Sequence, residues 1–169
     1  MTREVRMRMP APPLSFLLSH PAHFIALGGG AGLAPIAPGT VGTLMAFPIA
    51  WLLDAYAGTA SFLVVIAAVA AIGMAAAHVT ARDLGVADHG SIVIDEIAAF
   101  LLVLFFAGSD ALRQALAFVL FRFFDVVKPP PIRQVDARTH NGFGVMADDF
   151  LAAGYTLVAL AIARRLFGI

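Results

Sequence analysis

Asp95 and Glu96 stand side by side in an otherwise apolar run. An ionisable group in such a helix is costly unless it is paired, metal-bound or turned to water, and two in succession are hard to explain as interfacial solvation alone. A second set, Arg122, Asp125 and Lys128, recurs every third residue and so lies along one flank of a helix, spread over about 120°. That spacing serves a structural ion-pair ladder equally well. Lys128 favours function, being the only lysine against ten arginines; a compact ammonium suits point contact with a phosphate oxygen. Asp148 and Asp149 form a third set, at the expected start of the last helix, where carboxylates also act as caps at the positive dipole end. Beside Asn141-Gly142-Phe143-Gly144 the pair equally resembles half of a hard-metal site next to a loop whose amides can approach an anion. The turn Ala-Pro-Gly-Thr-Val-Gly (37–42), with Thr40 at a helix amino terminus, is another candidate anion cradle.

Carboxylates bind a hard ion that keeps its waters and bridges to phosphate oxygens, and cations neutralise a departing phosphate. The combined sets therefore describe a magnesium site that receives a phosphate. The absence of cysteine excludes disulfides, zinc-thiolate sites, iron–sulfur clusters and thiol nucleophiles. His20, His23, His78, His89 and His140 are scattered and form no HExxH pattern, so they read as interfacial or structural.

These residues need elements to bring them together, and the composition says which. Hydrophobic residues make up 60%, charged residues 13%, and mean hydropathy is +0.89. This is the balance of a chain dissolved in a bilayer. Zero net charge and the lack of a basic run interleaved with aromatics give nucleic acid no purchase. The pattern predicts an all-α membrane bundle of about four to five apolar helices, over 43–53 (containing Pro48), 61–79, 91–107, 111–127 and from Asp148 to about Phe167. A polar segment, 128–146, opens with three prolines that cannot continue a helix. Residues 1–27 read as a basic, proline-containing arm rather than a cleaved signal, and 28–169 as one helical membrane domain.

Following the turns, the starts of the first, third and fifth helices and the end of the fourth all fall on one membrane face. That face collects Arg3, Arg6, Arg8, Arg82, Lys128, Arg133 and Arg138, against Arg113, Arg164 and Arg165 opposite. Seven cations against three make it cytoplasmic by the positive-inside rule.

Four segments in this order, Ala-Pro-Gly-Thr-Val-Gly-Thr (37–43), Ile-Val-Ile-Asp-Glu (92–96), Phe-Arg-Phe-Phe-Asp-Val-Val-Lys-Pro (121–129) and Gly-Phe-Gly-Val-Met-Ala-Asp-Asp (142–149), with Ala153-Gly154 following, resemble the phosphatidylglycerophosphatase A family. The resemblance runs from about residue 28 to 155. It implies an all-helical protein of the bacterial inner membrane that removes the terminal phosphate of phosphatidylglycerophosphate with magnesium, giving phosphatidylglycerol. By motif it implies Asp95, Glu96, Asp148 and Asp149 as metal ligands or water activators, and Arg122 and Lys128 as phosphate holders assisted by Thr40. Asp125 is implied either as a further metal ligand or as the group orienting Arg122. Two departures are Ala98-Ala99, where a glycine is expected, and His140-Asn141, where a Gly-Gly run is usual; neither removes a charge.

Other phosphatase designs lack their residues here, including Asp-x-Asp-x-Thr and the motifs of histidine-type lipid phosphatases. A metal-activated water is the preferred nucleophile, with a carboxylate among Asp95, Glu96, Asp125 and Asp149 taking its proton, and a phosphoaspartyl route as the alternative. The competing function is a small non-enzymatic transporter or channel subunit whose intramembrane acids move ions. A conduction path would place polar groups at several depths, whereas these cluster at one face.

Overall fold

The computed structural model describes residues 9–86, 89–134 and 142–168, of which 142–145 by backbone alone. Arg3, Arg6, Arg8, Arg138, His140 and Asn141 lie outside the described residues. Every regular element among those described is helical: α1 (Leu14–Ser19), α2 (Pro21–Ala26), a 3-10 turn (Gly28–Leu33), α3 (Pro38–Tyr56), α4 (Thr59–Leu84), α5 (Ile94–Ala107), α6 (Ala111–Val127) and α7 (Gly142–Phe167).

The all-α expectation holds, but the expected four to five membrane helices reduce to two candidate spans, α4 and the Met146–Phe167 part of α7. Length and charge explain the difference. The 14 residues of α5 reach about 21 Å, short of a hydrocarbon core of about 30 Å. The 17 residues of α6 include Arg113, Arg122 and Asp125, and α3 contains Pro48 and Asp54. Only 28% and 22% of the two spans' most apolar stretches are buried, so they form an outer wall and not a soluble core.

The centre is α5, contacted by α3, α4, α6 and α7. Ten of its residues are buried. Phe100 anchors it, with the rings of Phe121, Phe47 and Phe118 at 5.2, 5.4 and 5.9 Å, separations typical of favourable aromatic pairs. Outside, α3, α4, α6 and α7 expose large apolar side chains such as Trp51, Leu63, Val119 and Val158. Surface of this kind is consistent with membrane association.

The segment expected to be an arm is folded from Leu14 onward. Six-residue helices such as α1 and α2 are too short to persist alone, and tertiary contacts hold them. His23 is buried, stacks on Phe16 at 4.0 Å, and places Nε2 3.0 Å from Asp83 Oδ2 at the end of α4. Pro21 occupies the first turn of α2, and His20 Nδ1 accepts from Ala22 N at 3.0 Å. The last helix also starts earlier than expected, at Gly142, so the glycine-containing stretch 142–144 is helical. Asp148 and Asp149 consequently lie beyond its first turn, and capping no longer accounts for them.

Candidate active site

The approach to α5 is gripped from three directions. Val93 N donates to Ala26 O at 2.9 Å. A Cβ added at Gly32 would overlap Ser91 O; one at Gly42 would lie 2.7 Å from Val93 Cβ, and one at Gly73 2.7 Å from Ile94 Cγ1. Glycines from the 3-10 turn, α3 and α4 thus let three backbones close on residues 91–94. That grip fixes where α5 begins, and with it Asp95 and Glu96 in its first turn, where carboxylates also meet the positive end of the helix dipole.

Asp95 and Asp149 are buried, at 2% and 4% exposure, and Glu96 is half-buried beside them. One carboxylate oxygen from each of the three lies within 4.8 Å of the others. At that separation two like charges repel by roughly 3.5 kcal/mol at an effective dielectric constant of about 20. Adding Asp125 and Asp148 makes five carboxylates, against the two cations Arg122 and Lys128 that share their surroundings. An oxygen-only donor set with excess negative charge suits a hard divalent cation. Asp95, Glu96 and Asp149 can hold such an ion.

Arg122 links this trio to α3. Its Nη1 lies 2.7 Å from Asp125 Oδ2 and 3.8 Å from Glu96 Oε1, and it donates to Thr43 Oγ1 at 3.3 Å. The Thr43 hydroxyl in turn donates to Gly39 O at 2.8 Å. Arg122 Nε is buried with no hydrogen-bond partner, a donor suited to an anion. Gly39 matters sterically: a Cβ there would overlap Glu96 Oε1 and lie 3.3 Å from Arg122 Nη2.

Lys128 caps α6 in the left-handed conformation, φ 48°, with its N–H on Phe124 O at 2.8 Å. A non-glycine residue there costs about 1 kcal/mol. The buried ion pair between Lys128 Nζ and Asp148 Oδ2 rewards the conformation. Tyr155 Oη donates to Pro130 O at 2.8 Å, tying the proline turn after Lys128 to α7.

Thr40, Glu96, Arg122, Asp125, Lys128, Asp148 and Asp149 all line one cavity of about 890 Å³. Asp95 joins them through the carboxylate trio. Each of these candidate site residues is therefore at one end of the bundle. Asp125 pairs with Arg122, the orienting alternative of its two implied roles, and Asp148 pairs with Lys128; neither is in the trio whose oxygens lie within 4.8 Å of one another. The amide cradle of the 37–42 turn is narrower than expected: Pro38 has no N–H, and the Thr40 and Val41 amides donate to Ala37 O. The sequence places Gly39, Gly42 and Thr43 in the 37–43 motif, but it assigns no individual role to them or to Gly32 and Gly73. The spacing Gly39-x-x-x-Thr43, which places a hydroxyl over the carbonyl four residues back, is the one local signal that points to Thr43.

The family model for Phosphatidylglycerophosphatase A matches residues 24–164. A Haemophilus influenzae protein named Phosphatidylglycerophosphatase A is 42% identical over 144 residues, covering 85% of this chain and 88% of the relative. An Escherichia coli K12 protein of the same name is 42% identical over 136 residues, covering 80% and 78%. A third relative, from Bacteroides thetaiotaomicron, is 35% identical over 154 residues and bears a name pointing to a phosphatidylinositol-3-phosphatase. No solved structure matches the chain. None of these relatives is named as a transporter or channel subunit. With most of its length matched by that family model, and with two same-named relatives at 42% identity, the chain belongs to the phosphatidylglycerophosphatase A family.

Proposed function

We infer that this chain is a phosphoric monoester hydrolase that removes the terminal phosphate of phosphatidylglycerophosphate, releasing phosphatidylglycerol and phosphate at the cytoplasmic face of a bacterial inner membrane. The observation that carries this reading is the meeting of an acidic trio with Arg122 and Lys128 in one cavity at the end of an apolar bundle. The names of the two 42%-identical relatives supply the substrate. The cavity provides both halves of a phosphatase site, oxygen ligands for a cation and donors for an anion.

The ion is magnesium in this reading, held by Asp95, Glu96 and Asp149; when bound it supplies concentrated positive charge to the phosphoryl group and the attacking water. Arg122, its Nε available and its Nη1 fixed by Asp125 and Thr43, holds phosphoryl oxygens with Lys128, and Thr40 assists from the cavity wall. Asp125 acts by orienting Arg122. Glu96 lines the cavity and is the member of the trio that approaches Arg122, at 3.8 Å, so it takes the proton of the attacking water. The water oxygen bonds to phosphorus, the bond from phosphorus to the glycerol oxygen breaks, and a proton returns to that oxygen. Asp148 holds Lys128 in place.

The test is phosphate release by the purified protein from phosphatidylglycerophosphate and from phosphatidylinositol 3-phosphate. Turnover of the first at a kcat/KM at least tenfold above the second supports the reading. Preference for the second would reassign the substrate, and release from neither would remove the activity.

A further inference from the structure

The cavity lining is of two chemical kinds. One is the charged groups described above. The other is the 33–37 turn, Leu-Ala-Pro-Ile-Ala, together with Val126 of α6. Neither the turn nor Val126 carries a charge.

Ile36 is 81% exposed and Val126 46% exposed, yet both line this cavity. Ile36 is not exposed through looseness. Pro35 and Pro38 flank the pair Ile36-Ala37, and Ala37 adopts the left-handed conformation, φ 48°, as the cap of α3. Ala34 N donates to Ala31 O at 3.1 Å on the other side. A strained turn stiffened by two prolines holds an isoleucine outward, and strain of this kind concentrates where a ligand is clamped. Rigid apolar contacts also cost little ordering entropy when a ligand arrives. Val126 follows Arg122 by one helical turn and precedes Lys128 by two residues, so an apolar surface borders the phosphate-holding cations on their own helix.

A phosphomonoester with a small soluble tail would use only the charged part of the lining. We propose that Ile36 and Val126 form an apolar subsite that takes the acylated glycerol portion of a lipid whose phosphate lies between Arg122 and Lys128. This rests on the lipid phosphatase reading above and names the residues that make the site select a lipid.

The experiment compares kcat/KM for dibutanoyl and dihexanoyl phosphatidylglycerophosphate, each below its micellar concentration, with wild-type, Ile36→Asn, Val126→Asn and the milder Ile36→Ala protein in the same detergent. Four added methylenes, partly buried, raise wild-type kcat/KM by roughly tenfold. In both asparagine variants this chain-length ratio falls to about threefold or less, and Ile36→Ala gives an intermediate ratio. A ratio unchanged by all three substitutions, or a wild-type ratio near one, overturns the subsite. If wild-type protein releases no phosphate from either lipid, it is the phosphatase reading that fails, and the two failures are told apart.

Discussion

The Arg122 guanidinium donates to the hydroxyl of Thr43 across the helix interface between α3 and α6, at 3.3 Å, and Thr43 is wholly buried. That hydroxyl is itself oriented by donating to Gly39 O, leaving its lone pairs for Arg122. Thr43 is a positioning residue: it sets where the guanidinium meets an anion. Thr43→Val, nearly equal in volume, should lower kcat/KM by about 10- to 50-fold, the scale of one hydrogen bond to a charged group. Thr43→Ser should stay within about threefold of wild type. Equal losses in both variants would make the effect one of packing.

Gly39→Ala puts a methyl group where Glu96 Oε1 lies. The carboxylate can swing aside more cheaply than the helices can part, so the melting temperature should change little while turnover falls about 100-fold, as expected for a small misplacement of a reacting group. Gly154→Ala is the control, since a Cβ there meets nothing within 4 Å and a helix interior gains about 1 kcal/mol from alanine. A silent Gly39→Ala in steady-state assays would contradict the role given to Glu96.

The gripping glycines predict a different signature. At Gly42 and Gly73 the added methyl meets Val93 Cβ and Ile94 Cγ1 at 2.7 Å, groups that are packed and cannot rotate away. Alanine at either position should cost about 1–3 kcal/mol of stability, as overpacking does. Turnover should fall with it, because residues 91–94 carry Asp95 and Glu96. Thermal unfolding in detergent, paired with activity at a temperature where the variants remain folded, reads both effects.

The N-terminal helices should loosen while the centre of the bundle stays closed. Replacing His23 with alanine removes the ring stacked on Phe16 and the contact to Asp83. Hydrogen–deuterium exchange should rise across Leu14–Ser19 and Pro21–Ala26 while exchange in α5 is unchanged. Uptake that rises equally in α5 would show that these helices belong to the same cooperative unit as the site.

The gathering of charge was legible in the sequence because each charged group is expensive in an apolar helix, and a chain that turns back at regular intervals returns such groups to the same end. Asp95, Glu96, Arg122, Lys128 and Asp149 could be found that way. Their pairing could not, since Arg122 meets Thr43 and Lys128 meets Asp148 through helix packing that no local spacing encodes. Hydropathy likewise overstated the spans: α5 is apolar because it is the buried centre, and apolarity alone does not tell a protein interior from a bilayer. The short helices α1 and α2 were hidden for the opposite reason, since prolines and histidines obscure a pattern that tertiary contacts stabilise.

If Asp95, Glu96 and Asp149 hold the magnesium on which phosphate release depends, turnover must follow the ion and its ligands. The decisive measurement is a magnesium titration of chelator-treated wild-type, Asp149→Asn and Asp110→Asn enzyme, read as phosphate release from phosphatidylglycerophosphate. Asp110 caps α6 at the other end of the bundle, its carboxylate accepting from Arg113 N at 2.8 Å, a task asparagine performs equally well. Release should be absent without the metal, Asp110→Asn should saturate as wild type does, and Asp149→Asn should lose at least about 100-fold with a shifted magnesium requirement. Full wild-type turnover in the presence of chelator, or an Asp149→Asn enzyme that saturates with magnesium as wild type does, would contradict it.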